Sequence, residues 1–209
     1  FSATTGAKFI ESGAYKNVIV VGADKMSSIT DYTDRSTCIL FGDAAGAILL
    51  QPNEQGFGLQ DSWMRVDGVG AEFLHMKGGG SKNPPTHETV DKKWHYLFQD
   101  GKPVFKAAVK GMAEAVNEIL KRNNLSPDDI RFVVPHQANL RIIQAVADYL
   151  KFPMERVMVN IQKYGNTTSA TIPLCLWEWE DQLKPGDKVI LTSFGGGYTW
   201  GASLWTWAY

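Results

Sequence analysis

Two cysteines, no excess of charge of either sign and no long apolar run are what first narrow this 209-residue chain. Cys38 and Cys175 both sit in apolar stretches, STCILFG and IPLCLWEW. A disulfide framework is therefore not indicated, and two buried free thiols in a reducing compartment are the simpler expectation. A formal net charge of −1 gives no electrostatic reason to bind nucleic acid or an anionic membrane, so any basic docking patch has to be local. Nothing approaches the roughly 18 consecutive apolar residues of a membrane span. There is no initiator Met and no basic segment ahead of an apolar one, hence no signal peptide to read. His75, His87 and His95 follow no zinc spacing, and no metal site is expected. GGGSK at 78–82 lacks the Walker pattern and the preceding strand of a phosphate-cradling loop.

What is present is ordinary for a globular protein: 44% apolar and 21% charged residues, and enough chain for one substantial α/β domain or two small ones. FSATTGAKFIESG reads as a helix with no cap of its own, which suggests that the protein begins elsewhere. NVIVVGAD (17–24) has the β-branched run of a buried, parallel strand. TCILFG (37–42) and AGAILLQP (45–52), parted by Gly42-Asp43, read as an antiparallel pair, and 58–68 continues in strand style. Residues 68–102 read as a long loop with one helical turn at most. The clearest helix covers 103–124, with Pro103 in its first turn and Phe105, Ala108, Met112, Ala115, Val116 and Ile119 on one apolar face. A strand at IRFVV, a helix at 139–151, a short strand RVMVNI, a helix from 170 and the strand KVILTSF follow, with a last strand after FGGGYTW. This alternation argues an α/β fold with antiparallel pairing at its edges. The late tryptophans (Trp177, Trp179, Trp200, Trp205, Trp207) read as core packing.

Three stretches carry possible chemistry. In FVVPHQANLR a buried strand stops at Pro135 and His136 follows, where α/β proteins place reacting groups. The residues alone leave two readings open: a core histidine bonded to backbone, or an imidazole that handles a proton or a hydrogen bond near neutral pH. In GNTTSA (165–170) Asn166 is either a turn or cap residue, or an amide aimed at a carbonyl oxygen together with a neutral histidine. In FGGGYTWG (194–201) the glycines form a plain tight turn, or let the backbone approach a ligand and point an N–H at an oxyanion. Lys106, Lys110, Lys121, Arg122 and Arg141 form a solvated face or a dock for an acidic partner.

Taken together, GAYKNVIVVGADKMSSITDYTDRST, ILFGDAAGA, PHQANLR, YGNTTSA and FGGGYTWG, in this order and spacing, resemble β-ketoacyl-acyl carrier protein synthase III. The resemblance implies a thiolase-like fold of layered α/β/α/β/α type, with residues 1–53 closing a first half and 54–209 forming the second. It implies a Cys-His-Asn triad in which His136 and Asn166 donate hydrogen bonds to a malonyl thioester carbonyl, and Gly196 N–H completes an oxyanion hole. It also implies that Phe1 stands three residues after the nucleophilic cysteine, so the chain as given would form no acyl-enzyme. Neither Cys38, read as a strand interior, nor Cys175, read as mid-helix, takes that place.

By the same resemblance Arg35 would meet coenzyme A adenine, and Gly101, Phe105 and Asn139 would line a pantetheine tunnel. Lys106 and Arg141 would dock acyl carrier protein, although Asp148 and Tyr149 stand where the family can carry further lysines. The activity implied is decarboxylative condensation of acyl-coenzyme A with malonyl-acyl carrier protein, initiating fatty-acid synthesis, by a cytoplasmic homodimer with no cofactor, no nucleic acid and no membrane partner. The dimer would join through the strand near NVIVVG. Two alternatives stay open: a secondary-metabolite ketosynthase or acyltransferase with another starter, and a non-catalytic segment that only binds carrier protein.

Overall fold

In a computed structural model that describes residues 1–209, helix α1 (Ser2–Glu11) lies on an antiparallel ribbon of β1 (Val18–Asp24) and β2 (Ala44–Leu50). The approach is close because Gly6 has no side chain: a Cβ there would stand 2.9 Å from Val20 and 3.0 Å from Leu50. That covers one face of the ribbon. On the other, Ile19 and Val21 are 67% and 61% exposed. The expected buried, parallel strand at 17–24 is thus corrected to an antiparallel strand covered on one face, and its period-2 alternation of exposure records it.

The expected strand at 37–42 does not form. Asp34 accepts from Ser36 N–H at 2.9 Å and from the Thr37 hydroxyl at 2.7 Å, and Cys38 and Leu40 N–H groups turn back onto Asp34 and Thr37 carbonyls. A carboxylate that satisfies nearby backbone in this way competes with a ladder. Cys38 therefore lies half-buried in a turn, and only Phe41 makes a strand-like bridge, with Asn166. β2 pairs with β1 instead.

The larger sheet has the order β3 (Gly58–Val66), β8 (Thr199–Thr206), β7 (Lys188–Gly195), β6 (Phe132–Pro135); only the β6–β7 pair is parallel. Helices α3 (Gly101–Arg122) and α4 (Leu140–Leu150) cover one face, and α6 (Thr171–Trp179) covers the other. Val133 joins the core of Met112, Ile119, Ile143 and Ile190, while Phe132 and Val134 face Met158, Cys175 and Leu191. A strand covered on both faces needs apolar residues at every position, which is why β6 reads as an unbroken run. Asp100 caps α3 and starts it two residues ahead of Pro103, and its small residues admit the sheet closely. A Cβ on Gly111 would sit 3.1 Å from the Trp200 indole.

The segment 68–102 holds more order than a loop. β4 (Leu74–Met76) and β5 (Leu97–Gln99) pair antiparallel, with a short α2 (His87–Asp91) capped by Thr86 between them. RVMVNI, in turn, is no strand: Val157 bridges Val133, and Met158 N–H reaches Val133 carbonyl at 3.0 Å. The Gln137 side chain then takes the N–H groups of Asn160 and Ile161, where α5 (Ile161–Tyr164) begins. Of the late tryptophans, Trp179 meets Phe132 edge-on at 5.4 Å, but Trp177 is 66% exposed, so it does not belong to the packed cluster expected. No helix is long and apolar enough to cross a membrane.

Gly42 packs directly on the end of α5, since a Cβ there would lie 2.2 Å from Tyr164 carbonyl oxygen. Backbone cannot yield as a flexible side chain does, so Gly42→Ala is expected to destabilise by about 1–3 kcal/mol, read as a lowered denaturant midpoint at unchanged m-value.

Candidate active site

β6 ends at Pro135 and delivers His136, whose N–H donates to Thr192 carbonyl on β7 at 2.8 Å. The next residue locks the turn. Gln137 is fully buried, donates from Nε2 to the carbonyls of Pro135 (2.8 Å) and Met158 (3.1 Å), and accepts at Oε1 from Asn160 and Ile161 N–H groups (3.0 and 3.2 Å). Every polar site of the amide is used, the condition under which a buried amide rigidifies its surroundings.

The His136 ring meets Thr171 Oγ1 through Nδ1 at 2.7 Å, and no protein partner is found for Nε2. Burial pushes its pKa from 6.5 down to about 4, so the imidazole is neutral at physiological pH.

Asn166 reaches the same place from a different segment. Its N–H donates to Leu40 carbonyl at 2.9 Å, and its carbonyl accepts from Gly42 N–H at 3.0 Å. Gly165 before it has φ +67°, a conformation glycine adopts without strain, and a Cβ there would press on Leu40 carbonyl at 3.1 Å. The Asn166 carboxamide oxygen accepts from Thr168 N–H at 3.0 Å, which leaves its Nδ2 as the free, donating end. Thr168 is held at φ +50°, a left-handed conformation that costs a β-branched residue about 1–3 kcal/mol and persists where its surroundings impose it. Ser169 beside it donates N–H and hydroxyl to the Asp24 carboxylate at the end of β1.

Gly196 follows β7, where a Cβ would stand 3.2 Å from Leu74 carbonyl; its N–H has no acceptor in the protein. His136, Asn166 and Gly196 line one cavity of about 840 Å³ with largely apolar walls that include Phe105, Met112 and Phe194. Gly101, Asn139 and Arg141 line it too, as does the first turn of α1 from Phe1 to Thr4. Asn139 has a local task as well, capping α4 through Arg141 N–H at 2.8 Å. Arg35 and Lys106 are exposed and outside the lining, Arg35 in the turn after Asp34 and Lys106 on the outer side of α3.

Cys38 and Cys175 do not line the cavity, and burial with a nearby Glu178 pushes the Cys175 thiol up to about 12, a state with almost no thiolate. His75 packs on Phe98 and His95 on Tyr96. A neutral imidazole, a free amide and an unpaired backbone N–H around an apolar space can hold a thioester carbonyl and stabilise the negative charge that grows on it. Sequence reasoning did not single out Thr171 or Asp24. Thr171 carries no signal of its own, since a hydroxyl ahead of Pro173 reads equally well as a helix start.

Residues 1–68 match the family description "3-Oxoacyl-[acyl-carrier-protein (ACP)] synthase III", and residues 120–207 match its C-terminal counterpart. The β-ketoacyl-[acyl-carrier-protein] synthase III of Porphyromonas gingivalis is 56% identical over 209 residues, covering all of this chain and 62% of that relative. The crystal structure of 3-oxoacyl-[acyl-carrier-protein] synthase III from Aquifex aeolicus VF5 superposes with a TM-score of 0.89 at 40% identity, over 99% of this chain and 63% of that one. The priming β-ketosynthase of the R1128 polyketide biosynthetic pathway gives 0.86 at 31% identity, over 98% and 61%. The thiolase-like α/β fold is thus shared, and the chain spans a little over three fifths of the length of the relatives it matches.

Proposed function

The chain belongs to the 3-oxoacyl-[acyl-carrier-protein] synthase III family, and from that we propose that the whole protein condenses an acyl-coenzyme A starter with malonyl-acyl carrier protein, losing carbon dioxide and opening fatty-acid synthesis. In this reading residues 1–53 finish a first thiolase-like half and 54–209 make the second. A cysteine ahead of Phe1 attacks the acyl thioester; the bond to coenzyme A breaks, and coenzyme A leaves as its thiol with the proton the cysteine gave up. The positive end of α1, whose first turn lines the cavity, favours that thiolate.

Malonyl-carrier protein then loses carbon dioxide. The electron pair left behind becomes an enolate, whose oxygen accepts hydrogen bonds from His136 and Asn166. The enolate carbon attacks the acyl carbonyl, Gly196 N–H receives the oxyanion, and collapse expels the cysteine thiolate and releases β-ketoacyl-carrier protein. Gly101, Phe105 and Asn139 guide the pantetheine arm, and Arg35, exposed beyond the cavity, meets the adenine end. Lys106 and Arg141 attract the acidic carrier protein, with Asp148 and Tyr149 limiting that dock. The protein pairs with a second copy through β1 and works in the cytoplasm without a cofactor.

The observation that carries this reading is the gathering of His136, Asn166 and Gly196, each with an unspent polar atom, around one largely apolar cavity. It is tested by giving the full-length protein labelled acetyl-coenzyme A and malonyl-carrier protein. Label on the protein, carbon dioxide release and a β-ketoacyl product are expected; carrier-protein binding without carbon dioxide release would sink the reading. The likeness to the R1128 priming enzyme favours a second version, a secondary-metabolite starter enzyme, and a panel of acyl-coenzyme A chain lengths separates the two.

A further inference from the structure

Thr171 holds the His136 ring by a bond whose direction has a consequence for both halves of the reaction proposed above. Its Oγ1 lies 2.7 Å from His136 Nδ1 and 2.8 Å from Thr168 carbonyl oxygen. A hydroxyl has one proton. While that proton is given to the carbonyl, which can only accept, Oγ1 must accept from Nδ1, and the ring is the Nδ1–H tautomer. Nε2 then offers a lone pair to the cavity. If the hydroxyl rotates and donates to Nδ1 instead, Nδ1 has released its proton to solvent water and Nε2 has taken one up from it, so the ring stays neutral and Nε2 becomes a donor.

The two half-reactions ask for these two states in turn. Forming the cysteine thiolate is helped by an acceptor, whereas holding an enolate oxygen needs a donor, and a neutral imidazole offers only one of these from Nε2 at a time. We propose that Thr171 is a positioning residue whose hydroxyl acts as a rotor, fixing His136 as an acceptor at rest and releasing it to act as a donor during decarboxylation. Thr168 makes this possible because its left-handed conformation aims a carbonyl at Thr171 while its N–H holds Asn166. Ser169, bonded to Asp24, secures the same turn. Neither Thr171 nor Thr168 carbonyl carries a net charge, so the rotor acts through oriented dipoles alone. This inference rests on the condensation reading for its kinetics, but not for its spectroscopy.

The test uses the full-length enzyme with ¹⁵N-histidine, the His136 signals being assigned by their loss in His136→Ala. The ligand-free wild type should show Nδ1–H as its major tautomer, Thr171→Ser should match it, and Thr171→Val should show Nε2–H. Thr171→Val should slow acyl loading about tenfold, less than the full worth of a general base because α1 still favours the thiolate, and leave malonyl decarboxylation within about threefold. Thr171→Ser should keep both rates. An Nε2–H wild type overturns the proposal, as does a Thr171→Val enzyme with an unchanged tautomer, or one whose two half-reactions fall equally. If the valine variant does not fold, an Nε2–H wild type or a serine variant of the other tautomer still overturns the proposal. Because the nitrogen spectrum needs no turnover, it judges the hold of Thr171 on the resting tautomer even where the condensation reading itself fails.

Discussion

Asn166→Ala in the full-length enzyme is expected to lower malonyl decarboxylation by about 10²–10³-fold while acyl loading stays near wild type. The amide is a spare donor by construction. Thr168 N–H occupies its oxygen, so Nδ2 faces the cavity with nothing else to bond. Such a donor matters most when charge develops on the oxygen it faces, and the enolate carries more charge than the ground-state thioester. In the proposed reaction, loading involves the other side of the site, the cysteine and the Gly196 N–H. Carbon dioxide release and labelling of the protein, measured separately, test this; a variant that decarboxylates normally would refute the assigned role. The variant should also fold, because Asn166 ties its segment to Leu40 and Gly42 through backbone atoms that alanine keeps.

His136 makes a second large effect visible in stability. The folded ring resists protonation, with a pKa of about 4 against an unperturbed 6.5, because it is buried. The unfolded chain therefore binds the extra proton between these values. Stability from the neutral ring is complete above pH 6.5 and falls as the pH drops toward about 4, by an amount on the order of 1–3 kcal/mol. The lower part of that range applies if water enters the cavity on which the ring opens. Denaturant midpoints of wild type and His136→Gln across this window measure it: the wild type should lose more stability, and parallel curves would refute the shift. Asp31, held to about 2 chiefly by its bond from Thr33 and then Lys93, begins to lose its contribution near the lower end of this window, equally in both proteins, and cancels in the comparison.

Much of the second sheet and its helices was legible in the chain because their signals are local and redundant. The apolar face of α3 and the unbroken apolar run of β6 each match how those elements are covered. What failed depended on partners distant in sequence. Ile19 and Val21 are as apolar as Val18 and Val20, so composition could not distinguish the covered face of β1 from the bare one. Thr37 to Phe41 favour strand by type, yet Asp34 takes their backbone locally and Asn166 takes Phe41 from far along the chain. β4 and β5 are too short to display a period.

For the site, His136 and Asn166 each had an inert reading of equal or greater weight until the fold brought both to one cavity. The family resemblance supplied roles for them, but the direction of their hydrogen bonds is legible only in three dimensions. Thr171 shows this most clearly, since nothing in a threonine near a helix start distinguishes a cap from the anchor of an imidazole.

Thr168 serves two side chains with the two polar atoms of one peptide backbone: its N–H fixes the Asn166 amide, and its carbonyl fixes the hydroxyl that holds His136. A machinist would say that both side chains are dimensioned, at rest, from a single datum. If thermal motion or a distant substitution shifts that turn, the two groups shift together, and the gap between them holds better than the position of either. For a pair proposed to meet at one oxygen atom, that gap is the tolerance that counts.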